Sequence, residues 1–155
     1  LTFPFGSYIC VMDIDPKTAE MKIRRFVAID DCGNIINPMI VTGQVHGGLA
    51  MGIAPAMYEE LIYDDDGNIL NGTFMDYLLP TSVETPNWET GHTITPSPHH
   101  PLGAKGVAES PTVGAPPAVA NAVVDALSHL GVTHVDIPVT PFKVWKILKE
   151  KGVIS

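Results

Sequence analysis

The sequence predicts an α+β fold built from antiparallel hairpins, a glycine-rich helix, a long proline-rich loop and two C-terminal helices. Three observations carry that prediction. Two β-rich segments flank a proline turn near the start, a helical pattern loaded with glycine follows, and two helical patterns lie beyond a proline cluster. The 155 residues match the roughly 100–200 expected of one domain, so residues 1–155 are read as a single domain.

The first strand is expected over residues 8–14, with Asp15-Pro16-Lys17-Thr18 as the turn, because proline pre-sets φ at the second turn position. Residues 21–30 alternate and then become continuously apolar, completing an antiparallel hairpin. Residues 31–34 turn the chain. A helix is expected from about Ile40 to Leu61, although Gly43, Gly47, Gly48 and Gly52 each cost up to about 1 kcal/mol against alanine. Pro55 should kink that helix or end its first half. Such glycines serve either close approach of a bound group or tight packing against a neighbouring element, and both readings stand at this point.

Residues 60–63 and 69–72 flank Asp64-Asp65-Asp66-Gly67-Asn68, which reads as a hairpin loop with Gly67 at positive φ. The spacing does not supply the alternating oxygen ligands and closing glutamate of a calcium loop. Residues 74–79 form a short apolar element of either type. Seven of the 14 prolines fall between Pro86 and Pro117, in a stretch holding one expected strand at residues 91–95 and then an irregular loop at 96–111. Long loops of this kind tend to be functional. A nearly all-apolar helix is expected over residues 115–130, closed by Gly131. A short strand at 135–137 precedes a last helix running to about Lys151, with Thr140 as its cap, Pro141 in its first turn and Val144, Ile147 and Leu148 as its apolar stripe.

Composition excludes several classes. Nine basic against 17 acidic residues give a net charge of −8, a field that repels nucleic acid and anionic membranes. Cys10 and Cys32 are the two cysteines, too few and too far apart for an iron–sulfur site or a disulfide framework. No apolar run reaches the roughly 18 residues of a membrane span. The chain opens without methionine, and the expectation is a cytoplasmic piece of something longer.

The segment Gly103-Ala104-Lys105-Gly106-Val107-Ala108-Glu109-Ser110-Pro111 is the candidate site. Its glycines let a bound group approach the backbone. Ser110 and Pro111 read as cap and first position of a short helical turn, which Pro116 and Pro117 should interrupt. From spacing alone Glu109 is either a solvated carboxylate compensating a helix N-terminus or a general base fixed by positioned backbone.

These residues carry a resemblance. Residues 95–101, the Gly103–Glu109 loop and the following Gly114-Ala115-Pro116-Pro117 are similar to the C-terminal part of the molybdenum-binding large subunit of the xanthine dehydrogenase family. The likeness is strongest to the aerobic carbon monoxide dehydrogenase and aldehyde oxidoreductase branches. Asp31-Cys32-Gly33-Asn34-Ile35-Ile36-Asn37-Pro38, Gly43-Gln44-Val45-His46-Gly47-Gly48 and Met75-Asp76-Tyr77-Leu78-Leu79-Pro80 fit the same pattern, so the likeness spans the chain in order.

The resemblance implies that Glu109 is the active-site base beside molybdenum and that Gln44 contacts the pterin. Lys105, Gly106 and Val107 would line the cofactor through main-chain groups, and His46 is a further candidate to face it. The family carries glycine where this chain has Ala108, which bears on the loop's approach to the metal. The implied cofactor is a molybdopterin, in its cytosine dinucleotide form, with molybdenum; whether copper accompanies it in the intact enzyme stays open. The implied chemistry is transfer of water-derived oxygen to carbon monoxide or an aldehyde, with electrons passed to iron–sulfur and FAD centres on small and medium partner subunits. The remainder of the large subunit would complete the site, and the isolated segment would be inactive. Two other readings are a non-catalytic assembly module and a small metal-binding protein using His99 and His100. In the second, adjacent histidines of an extended segment would point to opposite faces.

Overall fold

The computed structural model describes residues 2–154. Strand β1 (Phe5–Ile14) pairs antiparallel with β2 (Met21–Asp31), as the alternating pattern and proline turn require. The register shifts between Val11 and Met12, a bulge that bends the hairpin. Strand β3 (Trp88–Thr93) joins β2 in parallel, making a three-stranded sheet of order β1-β2-β3. The sheet is therefore mixed, where antiparallel pairing alone was expected. A parallel neighbour needs a crossover, and helix α1 (Pro38–Met57) lies within the connection from β2 to β3.

Helix α1 starts two residues earlier than the pattern indicates. The Asn37 side chain accepts the N–H groups of Met39 (3.1 Å) and Ile40 (3.3 Å), and Pro38 occupies the first turn, where its missing donor costs nothing. The helix ends at Met57, short of Leu61, with Pro55 in its last turn rather than dividing it. Helix α2 (Glu109–Ala126) departs further from expectation. It runs unbroken through Pro116 and Pro117, despite about 3 kcal/mol per interior proline. Packing outweighs that penalty: Val119 and Val123 are fully buried, α1 lies against one side of α2, and Tyr8 of β1 lies against Gly114 on another. Ser110 is not the cap. Ala108 holds that position with no side-chain hydrogen bond, so Glu109 is the first helical residue.

A 3₁₀ turn at Ser128–Leu130 ends on Gly131 at φ 76°, the left-handed closure expected there. Helix α3 (Pro141–Glu150) is capped by Thr140, whose hydroxyl accepts the Lys143 N–H at 3.3 Å. Its Val144 and Leu148 join Phe26, Leu49, Ile53 and Val139 in the core. Residues 135–137 form no strand, and residues 74–79 form a turn at 74–76 followed by irregular chain. The Asp64–Asn68 loop turns on Gly67 at φ 84°, but its flanks make only the isolated bridge Tyr63 to Ile69.

The four helix glycines divide by surroundings. A Cβ at Gly48 would lie 2.5 Å from Pro111 Cγ, and one at Gly52 would lie 2.7 Å from Ala115 Cβ. These two let α1 and α2 meet. Gly52→Ala is therefore expected to destabilise the chain by about 1–3 kcal/mol through overpacking, despite its better helix propensity. Urea denaturation checks this; a midpoint at or above wild type would show that the helices can part without cost.

Candidate functional site

Gly43 and Gly47 have nothing within 4 Å of a Cβ built on them. They leave bare backbone on the open face of α1, in a cleft of about 800 Å³ lined also by Gln44, Met51, Ala108, Glu109 and Thr112. The first turn of α2 forms the opposite wall, and the Thr112 hydroxyl donates to the Gly48 carbonyl at 3.3 Å to tie the two helices. Gln44 and Glu109 are both exposed in this cleft. Neither side chain makes a hydrogen bond among the described residues, so an amide with donor and acceptor capacity and a carboxylate face one space. Glu109 also rims a second cleft of about 510 Å³, whose walls include Phe3, Phe5, Tyr8, Val113 and Pro117. Ala108 sits at φ −60° and ψ −36°, so its methyl group imposes no backbone strain where the family pattern has glycine.

The loop preceding Glu109 is fastened to the end of β2. Gly103, at φ 66°, offers its carbonyl to the N–H groups of Asn34 and Ser97, each at 3.0 Å. Ala104 bridges Gly33, and the Lys105 N–H donates to the Cys32 carbonyl at 2.7 Å. The Lys105 ammonium lies 2.8 Å from Asp31, with the two side chains 7% and 0% exposed, and 4.5 Å from the centre of the Phe5 ring. Asp31 also accepts from the Gly33 N–H (2.9 Å), the Thr95 N–H (3.1 Å) and the Thr93 hydroxyl (2.9 Å). Burial by itself would raise this carboxyl, but the Lys105 ammonium and these three donors together hold it well below the usual carboxylate range.

A second anchor lies after Glu109. Ser110 donates to Asp30 Oδ1 at 2.7 Å, and the Tyr8 hydroxyl donates to the same oxygen. Burial pushes the Tyr8 phenol up and the Asp30 hydrogen bond adds to it, so the hydroxyl remains a donor. Asp30 is 2% exposed, and its Oδ2 has no hydrogen-bond partner among the described residues.

Of the expected site residues, the cleft unites Glu109 and Gln44. His46 turns from it: its ring nitrogen lies 3.5 Å from the Thr90 hydroxyl on β3. The Lys105 side chain is committed to Asp31 and its N–H to Cys32, and Val107 packs partly against the core and lines a small separate cavity with Ile36 and Val41. Gly106 is exposed and open to solvent, outside the cleft. His99 and His100 lie in a turn rather than an extended segment, with the Leu102 N–H donating to His100 Nδ1 at 3.2 Å. No group of three potential metal-ligating side chains occurs among the described residues. The anchoring roles of Asp30, Asp31, Tyr8 and Ser110 are not evident from the sequence pattern, which offers Ser110 only as a cap. The available signal is a pair of adjacent aspartates closing the apolar run Phe26–Ile29 of β2, since buried carboxylates need partners.

Residues 1–86 match the family described as molybdopterin cofactor-binding domain. The chain is 63% identical over 152 residues to the carbon monoxide dehydrogenase large chain of Hydrogenophaga pseudoflava, covering 98% of this chain and 19% of that protein. It is 55% identical to the large chain of the same name from Afipia carboxidovorans, covering 99% and 19%. A crystal structure of Cu,Mo-CO dehydrogenase in its carbon monoxide reduced state superposes with a TM-score of 0.93 at 55% identity, over 97% of this chain and 19% of that one. The chain thus spans about a fifth of the length of the curated relatives it matches. These likenesses bear out the resemblance carried by the Gly103–Glu109 and Gln44 motifs.

Proposed function

The chain belongs to the molybdopterin cofactor-binding domain family, and from that premise we propose that it is the C-terminal segment of a molybdenum hydroxylase large subunit related to carbon monoxide dehydrogenase. The observation that carries the reading is the shared cleft. Glycine backbone without side chains, an unengaged amide and an unengaged carboxylate converge on one space, which suits a broad polar cofactor lying against α1. Gln44 would hydrogen-bond the pterin, and Gly43 and Gly47 would let it approach the helix. When bound, the molybdenum centre supplies the Lewis acidity and two-electron acceptance that oxygen transfer from water requires.

Glu109 does the proton work. Its carboxylate is exposed in the cleft and has no partner among the described residues, so it is available to accept a proton within hydrogen-bond reach of a bound reactant. The first helical position gives the carboxylate a favourable field from the N-terminus of α2. The second cleft that it rims is mainly apolar and leaves an approach for a small weakly polar substrate, carbon monoxide or an aldehyde. The cofactor's cytosine dinucleotide form, the iron–sulfur and FAD subunits that receive the electrons, and a cytoplasmic location belong to the same proposal. Among the described residues no helix is long and apolar enough to cross a membrane. Residues 1–155 act as one domain that is inactive until the rest of the large subunit closes the site.

Gly47→Leu tests the cleft. The position has free space, and leucine gains roughly 0.5–1 kcal/mol of helix propensity over glycine, so the chain itself should be slightly more stable. In the complete enzyme the same side chain should fill the cradle, and molybdenum and pterin content should fall steeply. A variant that assembles with its full complement of molybdenum would show that the cofactor lies elsewhere.

A further inference from the structure

We propose that the adjacent carboxylates Asp30 and Asp31 are positioning residues for Glu109, holding the side chains of Lys105 and Ser110 on either side of it from the end of β2; this rests on the reading of Glu109 as the active-site base. Successive strand residues point to opposite faces. Asp31 reaches Lys105, four positions before Glu109, at 2.8 Å. Asp30 reaches Ser110, the position after Glu109, at 2.7 Å and collects Tyr8 from β1.

The need for such anchors follows from the site. The Glu109 side chain has no hydrogen bond of its own among the described residues, and its N-cap, Ala108, offers no side-chain bond. Its aim is therefore set by the main chain at residues 105–110. Two carboxylates 2% and 0% exposed are an expensive way to fasten a loop. Neither lines either cleft that Glu109 rims, so both act through backbone rather than on a reactant. One strand end thus sets both flanks of the base, and the sheet's rigidity is passed to it.

The test uses the complete enzyme carrying Asp31→Asn, Ser110→Ala, Asp30→Ala or Asp30→Asn, with Glu109→Gln alongside. Displacing a reacting group by about 1 Å can cost roughly 100-fold. Asp31→Asn and Asp30→Ala should accordingly lower kcat about 10–100-fold, with KM and molybdenum content as in wild type; Ser110→Ala, at a residue that also lines the second cleft, should lower kcat likewise with molybdenum content unchanged. Amide hydrogen exchange across residues 103–110 should accelerate about tenfold. Asp30→Asn, whose amide oxygen still accepts both hydroxyls, should recover most of the kcat lost in Asp30→Ala. Accelerated exchange with wild-type kcat would overturn the proposal, as would unchanged exchange or a kcat loss that tracks lost molybdenum. If the aspartate variants fail to assemble, Ser110→Ala and Tyr8→Phe remove one hydroxyl each and are judged by kcat, molybdenum content and exchange across residues 103–110, since both residues line the second cleft. A fully active Glu109→Gln would sink the base assignment itself. An inactive Glu109→Gln beside anchor variants with normal kcat would sink only the positioning role.

Discussion

Glutamine in place of Glu109 is expected to cut turnover of the complete enzyme by about 10²–10⁴-fold, the usual worth of a positioned general base, while molybdenum content stays at the wild-type level. The substitution is nearly isosteric and leaves Gln44 and the open backbone of Gly43 and Gly47 untouched, so the cofactor cradle survives. It should also leave the fold intact. Glu109 is exposed and enters no ion pair or hydrogen bond among the described residues, so its charge is not part of the network that holds the loop. A loss of rate without loss of metal or of thermal stability separates a proton-transfer role from a structural one. An assembly module that had lost its chemistry would turn over at the same rate with either side chain. Metal analysis, a melting curve and steady-state kinetics on one preparation decide between them.

Lys105→Met is expected to cost about 3–5 kcal/mol of stability at neutral pH, the largest effect on folding that we foresee. Methionine replaces the aliphatic stem, but the Asp31 carboxylate, 0% exposed, is left buried without its ammonium. The sign of the pH dependence follows from the direction of the Asp31 shift. A carboxyl held below its ordinary range in the folded state contributes stability that is complete above the unfolded value, about 4. That contribution is lost as pH falls through the lower folded value. The wild-type chain should therefore weaken on acidification below about pH 4. Lys105→Met removes the first of the influences that lower the Asp31 carboxyl, so it should raise that pKa and shrink the difference from wild type as acid neutralises the carboxyl. Combining it with Asp31→Asn should restore part of the loss, because the pair is then removed together. Urea midpoints for both single variants and the double variant measure the coupling; simple additivity would mean that the two groups do not stabilise each other.

Much of the scaffold was legible because its causes are local. Alternation and the Asp15-Pro16 turn define the β1–β2 hairpin within one stretch of chain. Gly67 and Gly131 adopt the positive φ that their turns demand, and Thr140 with Pro141 opens α3 through contacts within one helical turn. The errors arose where distant residues decide. Pro116 and Pro117 read as helix breakers, yet α2 continues because Val119, Val123 and Ala115 are buried between α1 and the sheet. The sequence pattern puts a strand close to β3, but its parallel pairing depends on where α1 returns the chain. Ser110 reads as a cap from its neighbours, whereas its hydroxyl goes to Asp30, 80 residues away in sequence.

The candidate site shows the same division. Residue identity alone pointed to Glu109 and Gln44, through motif resemblance, and to a backbone opened by glycine. Only the folded chain sorted Gly43 and Gly47, which face the cleft, from Gly48 and Gly52, which seat α2. It also turned His46 toward Thr90 and committed Lys105 to Asp31. Turn, cap and strand preferences are short-range and written into adjacent side chains. Which polar group is buried, and against what, depends on contacts made between elements after they form, and no single segment contains that information.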